Sequence, residues 1–257
     1  MMRIGFYNLQ GGTGKTTVAI NIAYLLSEKT KTIYIDCDLY AGTSGVLFGY
    51  ENDPHNLNSY LSGNSTLDEA IHTYSHLSII PNDVTPDAFN ADMDFERFAE
   101  MVDILEETYD IIIFDLPPNI TEGNLLFSSI DEKLINKMII VGEDSIPGIV
   151  NTLKTRELLT AIGTEIGGTI INKYRGIVDF EEVLDDVIAL LPYDKKVEEQ
   201  WVLNKPIVEI KSKLSKELIY LAEDLAQVYI EKELAEVRAL KLAKELKRLV
   251  DDVEDED

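Results

Sequence analysis

Eight consecutive residues near the N-terminus have the composition of a phosphate site: Gln10-Gly11-Gly12-Thr13-Gly14-Lys15-Thr16-Thr17. The apolar run Ile4–Tyr7 precedes them, and an apolar helical stretch from Thr16 to Ser27 follows. Strand, glycine-rich turn and helix in that order are what a phosphate-binding loop requires. Gly11, Gly12, Thr13 and Gly14 can curl so that successive N–H groups point inward at phosphate oxygens, and the helix N-terminus adds partial positive charge. Lys15 then reaches the β- and γ-phosphates, the Thr16 hydroxyl serves Mg2+, and Thr17 can contact the α-phosphate. The strict spacing G-x-x-x-x-G-K-[ST] fails at its first position, which is Leu9.

Carboxylates stand at the ends of two further apolar runs. Asp36-Cys37-Asp38 follows Thr32–Ile35, some twenty residues beyond Lys15. Asp115 closes Ile111–Phe114 and leads into Leu116-Pro117-Pro118. A rigid strand ending in an acid is how a carboxylate is held near a metal ion. Asn172 ends another run, Thr169–Ile171, and its amide can donate and accept at once. Leu191-Pro192-Tyr193-Asp194 follows the run Ile188–Leu190.

Asn8-Leu9-Gln10-Gly11-Gly12-Thr13-Gly14-Lys15-Thr16-Thr17 resembles the deviant Walker A loop of the ParA/MinD family of P-loop ATPases, which reads N-x-K-G-G-x-G-K-T-T. Asp36-Cys37-Asp38 looks like the family's D-x-D switch, and Asp115-Leu116-Pro117 looks like its D-x-P motif. The resemblance implies ATP or ADP with Mg2+ as cofactors. It assigns the phosphates to Gly11, Gly12, Thr13, Gly14, Lys15, Thr16 and Thr17, and the metal to Thr16, Asp36 and Asp115. Lys15 and Asp38 become the catalytic pair, with Asp38 positioning the attacking water. Asn172 would read adenine, and Pro192 would help close the base pocket. The implied activity is slow ATP hydrolysis in a nucleotide switch that positions cellular machinery, with a protein adaptor or activator as partner. A degenerate nucleotide-binding scaffold and a DNA-partitioning ATPase are the alternatives.

The sequence departs from the family pattern at one consequential place. The signature lysine, which in the family crosses a face-to-face homodimer to the partner's phosphates, is Gln10 here. Glutamine can hydrogen-bond but brings no charge, so the implied dimer and its hydrolysis are expected to be weakened or altered. Val141-Gly142-Glu143-Asp144-Ser145 lacks the Pro-Glu pair that the family commonly has there, and Asn119 stands where relatives often have glycine.

The elements that must position these residues alternate between short apolar runs and helical stretches, which is the pattern of stacked βαβ units. Lys137–Val141 and Leu77–Ile80 complete the strand set. Helices are expected over 67–73, 94–106, 147–161 and 180–186, and from 212 to about 250. The expected fold is α/β, a mostly parallel doubly wound sheet of about seven or eight strands of P-loop NTPase type, with a C-terminal helical extension. Residues 1–211 would form the ATPase core, 212–250 a helical segment packed on the core or on a partner, and 251–257 an acidic tail.

Composition narrows the functions available. The 257 residues carry 47 Asp plus Glu against 23 Lys plus Arg, a formal charge of −24. Bulk phosphate neutralisation needs Lys and Arg, so DNA is an unlikely partner. A single cysteine excludes a disulfide framework and any metal site built from several thiolates, and it fits a reducing cytoplasm. Cys37 is expected to pack as a small apolar residue, as is Trp201 as a large one. His72 and His76 stand four apart, but no cysteine completes a metal set, and exposed histidines are the expectation. The loop Asp83–Asp94 is acidic and expected to be solvated, with an adaptor surface as the alternative. Residues 207–250 are nearly neutral and place Leu234, Val237, Leu242, Leu246 and Leu249 among lysines, before the acidic end DDVEDED. That helix is expected to pack on the domain. Peripheral membrane contact through it is the less favoured reading, since the acidic end repels anionic lipid.

Overall fold

A computed structural model describes residues 1–39, 42–82, 94, 96–118, 134–180, 182–228, 231 and 235. The acidic loop 83–93, Asn119, the apolar C-terminal positions from Leu234 onward and the tail 251–257 lie outside the described residues.

Eight strands form one sheet: β1 (Met2–Tyr7), β2 (Thr32–Asp36), β3 (His72–Tyr74), β4 (Leu77–Ile80), β5 (Ile111–Asp115), β6 (Lys137–Glu143), β7 (Ile166–Tyr174) and β8 (Val187–Pro192). Their order is β3-β4-β2-β5-β1-β6-β7-β8. Every pairing is parallel except β3 with β4. The strands β2 and β5 are buried at every residue, which is why their sequences read as continuous rather than alternating apolar runs. β1 lies between β5 and β6, where the winding of the sheet changes direction. In open α/β sheets a ligand crevice opens at that point, outside the carboxyl ends of the strands. The glycine-rich loop leaves β1 there.

Each face of the sheet has its own core. On one, Ile112, Phe114, Ile33 and Ile35 meet Phe98, Met101, Val102 and Leu105 from the helix Glu96–Glu106. On the other, the helix Lys15–Ser27 lies between the sheet and a later helix spanning 213–228, whose Leu214, Leu218, Leu221 and Ala222 join the same cluster as Val18, Ile22 and Leu26. Covered on both sides, Lys15–Ser27 is buried almost all round. Its one buried amide, Asn21, is fully satisfied: Nδ2 donates to Thr17 O (2.7 Å) and Gln200 Oε1 (3.3 Å), and Oδ1 accepts from Val208 N (3.1 Å).

Two expected helices are absent in part or whole. The helix at 67 begins with a reciprocal capping box between Thr66 and Glu69 but stops at Ala70. Ile71 is already extended, and His72–Tyr74 turns back through Ser75 to pair antiparallel with β4. Residues His72, Thr73 and Tyr74 suit a pleated edge better than a helix interior. Phe180 and residues 182–186 form turns and bends, with Phe180 and Leu184 packed in a small cluster with Ile149 and Ile171. Three short helices, Ser44–Phe48, Leu57–Leu61 and Val197–Leu203, had no recognisable pattern. His76 is exposed, as expected, although its ring also lies 4.5 Å from Tyr24; His72 is half-buried, its ring 4.4 Å from Tyr50 and its Nε2 donating to His55 O at 2.7 Å.

Leu218, on the helix 213–228, is fully buried in the apolar cluster it shares with Val18, Ile22 and Leu26 of the helix Lys15–Ser27. Leu218→Ala should therefore cost about 2–5 kcal/mol of unfolding free energy in urea. A change below about 0.5 kcal/mol would show that this helix is not part of the cooperative core.

Candidate functional site

The loop after β1 is built by two left-handed glycines, Gly12 (φ 77°) and Gly14 (φ 89°), conformations that side chains on Cβ strongly disfavour. Gly14 is the N-cap of the helix and offers no side chain to its free N–H groups. Those donors face the loop as an anion site. The Lys15 side chain is buried and donates to Gln10 O at 3.3 Å. Burial pulls its pKa down, against the opposing charges of Asp115 and Asp38. Thr13 Oγ1 is buried without a hydrogen-bond partner among the described residues.

Asp36 and Asp115 are direct neighbours in the β2–β5 register, so two carboxylates sit side by side at the strand ends with almost no exposure. Their surroundings differ. Asp36 is occupied: Oδ2 accepts from Ser44 N (3.1 Å) and Ser44 Oγ (2.7 Å), and Oδ1 accepts from Asp38 N (3.2 Å). Asp115 Oδ2 accepts from the Tyr34 hydroxyl at 2.9 Å, whereas Oδ1 is buried with no partner among the described residues. Burial, then the negative charge of Asp36, pushes Asp115 up to about 7, with Thr16, Tyr34 and Lys15 holding it back. Burial also pushes Asp36 up to about 6, opposed by its hydrogen bonds from Ser44 and Asp38. A hard, oxygen-seeking cation fits this arrangement: an orphaned carboxylate oxygen, a threonine hydroxyl beside it, and excess negative charge in a dry setting.

Asn172 ends up on the loop itself. Its Nδ2 donates to Thr13 O at 2.8 Å, and a Cβ on Gly14 would lie 2.2 Å from that nitrogen. One amide hydrogen and the carbonyl oxygen remain for a ligand. A cavity of about 230 Å³ opens beside it, lined by Gly14, Thr17, Asn172, Lys173, Pro192 and Tyr193 among others. Thus Asn172, Pro192 and the loop, far apart in sequence, are brought to one crevice. Asp38 is half-buried at the end of β2, close enough to act on Lys15 by charge.

Beneath the loop lies a polar layer that motif reading missed. The helix Ile146–Ala161 turns Thr152 and Thr155, both fully buried, toward β1. Asn8 Nδ2 donates to Val141 O (3.0 Å), Asn8 Oδ1 accepts from Gln10 N (2.8 Å), and Thr155 Oγ1 accepts from Leu9 N (3.2 Å). Gln10 Oε1 accepts from Asn151 Nδ2 of the same helix at 3.2 Å. The one available signal is Gly148, Thr152 and Thr155 at helical spacing, a small and polar stripe on a face that should be apolar. Asp144 organises the neighbouring loop. Burial alone would raise its pKa, but backbone N–H groups of Ile177, Arg175 and Val178 hold it below the usual carboxylate range.

Sheet order, loop and paired strand-end acids define a P-loop NTPase fold. A family described as "AAA domain" matches residues 1–160. An uncharacterised ATP-binding protein of Methanocaldococcus jannaschii is 55% identical over 251 residues, covering 97% of this chain and 95% of that protein. The septum site-determining protein MinD of Pyrococcus horikoshii, solved with Mg-ADP, superposes with a TM-score of 0.75 at 27% identity, covering 87% and 95% of the two chains. A ParA family ATPase of Chlorobium tepidum has the same fold, with a TM-score of 0.75 at 20% identity over 86% of this chain and 98% of that one. The chain belongs to the ParA/MinD family of P-loop ATPases.

The raised carboxyl of Asp115 gives a pH signature for the protein without nucleotide. Between the unfolded value near 4 and about 7 the folded chain holds a proton that the unfolded chain has lost, so stability falls as pH rises through that window. The wild-type chain should lose more stability than Asp115→Asn in urea unfolding as pH rises from 5 to 7. Parallel pH curves for the two proteins would contradict the assignment.

Proposed function

We propose that the chain binds ATP and ADP with Mg2+ and acts as a slowly hydrolysing nucleotide switch for positioning or assembling cellular machinery. The observation that carries this reading is the orphaned Asp115 Oδ1 beside Thr16, at the mouth of an uncapped helix N-terminus. In this reading the N–H groups of Gly11–Gly14 hold the phosphates, Lys15 neutralises the β- and γ-oxygens, and Thr17 contacts the α-phosphate. Thr16 and Asp115 would hold the magnesium ion, with Asp36, fixed by its hydrogen bonds from Ser44, beside them. The metal supplies charge stabilisation on the phosphate oxygens when bound. Asp38 orients the water whose oxygen attacks the γ-phosphorus, forming one P–O bond while the bond to the bridging oxygen breaks, releasing ADP and phosphate. Asn172 and Pro192 receive the base. The related Mg-ADP complex and the ATP-binding homologue support this reading.

We further infer a cytoplasmic protein with a core over 1–211 and a C-terminal helical segment over 212–250. No helix among the described residues is long and apolar enough to cross a membrane. A MinD of Aquifex aeolicus is solved in complex with MinC, which supports looking for a protein partner. Homodimerisation and an adaptor stay part of the proposal, and peripheral membrane contact its less favoured branch.

Gln10 favours a second reading, a nucleotide-binding regulator with little turnover. Its amide is tied to Asn151 of its own chain, and it brings no charge. Three variants test the pair of readings. Lys15→Ala should weaken MgADP binding at least 100-fold by calorimetry; unchanged affinity would end both. Gln10→Lys should raise single-turnover hydrolysis by 10-fold or more and strengthen ATP-dependent dimers in light scattering, since trans-acting cations contribute about 10³–10⁵-fold in related chemistry. If wild type and Asp38→Ala hydrolyse at the same negligible rate, the regulator reading stands.

A further inference from the structure

Lys173 follows the base-reading position Asn172 and has a left-handed backbone (φ 54°), unusual for a residue with a long side chain. That conformation carries its ammonium onto the glycine-rich loop. Lys173 Nζ donates to Gly12 O at 2.6 Å, while Glu143 Oε2 stands 3.5 Å away on its other side. Asn172 Nδ2 donates to the next carbonyl, Thr13 O, at 2.8 Å. Two adjacent side chains at the end of β7 therefore hold two successive carbonyls of the loop.

In a planar trans peptide the C=O of one residue and the N–H of the next point in opposite directions. Holding Gly12 O outward aims the Thr13 N–H inward, and holding Thr13 O outward does the same for the Gly14 N–H. A charged donor on the carbonyl also polarises the peptide, making its N–H a stronger donor. We propose that Lys173 is a positioning residue of the phosphate site, which sets the Gly12–Thr13 peptide for phosphate and adds a second cation to the loop, where position 10 supplies none. This rests on the nucleotide-binding reading above and extends it to a residue that belongs neither to the loop's own motif nor to the paired acids. Asn172 takes a share of the same task in addition to facing the base cavity. Glu143 is the counter-ion that keeps the ammonium beside the loop.

The test is calorimetric titration of MgADP into the full-length wild type, Lys173→Met and Lys173→Arg, at low and high salt, with urea unfolding of each protein without nucleotide. Lys173→Met should weaken MgADP binding about tenfold or more, the range for a hydrogen bond to a charged group. It should also flatten the salt dependence and leave the nucleotide-free urea midpoint unchanged. Lys173→Arg should restore affinity to within about threefold. Binding by Lys173→Met within twofold of wild type would overturn the proposal while leaving the nucleotide-binding reading intact. A lowered midpoint without rescue by arginine would make Lys173 a purely structural residue and overturn it equally. A wild type that fails to bind MgADP would remove both.

Discussion

A backbone that turns its N–H groups toward a ligand must find partners for everything else it turns away. That constraint runs through the whole site. The loop 8–15 is short and curled, so its own hydrogen bonds cannot satisfy it. Most of the missing partners come from distant elements: Asn172 and Lys173 from the end of β7 and Thr155 from the helix Ile146–Ala161, with only Asn8 supplied by the loop itself. Asn21 extends the same principle one turn further, binding the helix to Gln200 and Val208. The phosphate site is thus a property of the packed sheet, and the glycine-rich segment is its visible part.

A second layer of the design is electrostatic. Asp36 and Asp115 are forced together by the β2–β5 register, in surroundings that disfavour two negative charges. Ser44 and the Asp38 amide satisfy one of them, while Tyr34 satisfies half of the other. The remaining oxygen is the point where a cation gains most. Lys15 and Lys173 place positive charge on two sides of the loop, so its electrostatics come from β7 as well as from the loop's own sequence.

Much of this could be read from sequence wherever chemistry and position coincide locally. Lys15, Thr16, Asp36 and Asp115 each close or open an apolar element within a few residues, so strand ends and loop could be assigned without tertiary knowledge. The parallel sheet was legible because strands covered on both faces become unbroken apolar runs. What could not be read depended on partners far along the chain. Gln10 meets Asn151 across 141 positions, and nothing in either neighbourhood announces the other. His72 and Thr73 fall within the expected helix 67–73; the helix stops early because β4 is available as a pairing edge, which no local residue announces. Phe180, Val183 and Leu184 have helical spacing, but burial of Phe180 and Leu184 against Ile149 and Ile171 set the backbone instead.

The placement of β1 at the middle of the sheet has a consequence for how the protein comes into being. The strand β1 must wait for β5, more than a hundred residues later, and for β6 beyond it, before either of its edges is paired. The carbonyl partners of the loop emerge later still, at 172 and 173, and those of its helix at 200 and 208. On the ribosome, therefore, the residues that most resemble a finished binding motif remain unfinished until residue 208 has been made. Synthesis and competence for ligand are coupled in time by topology alone.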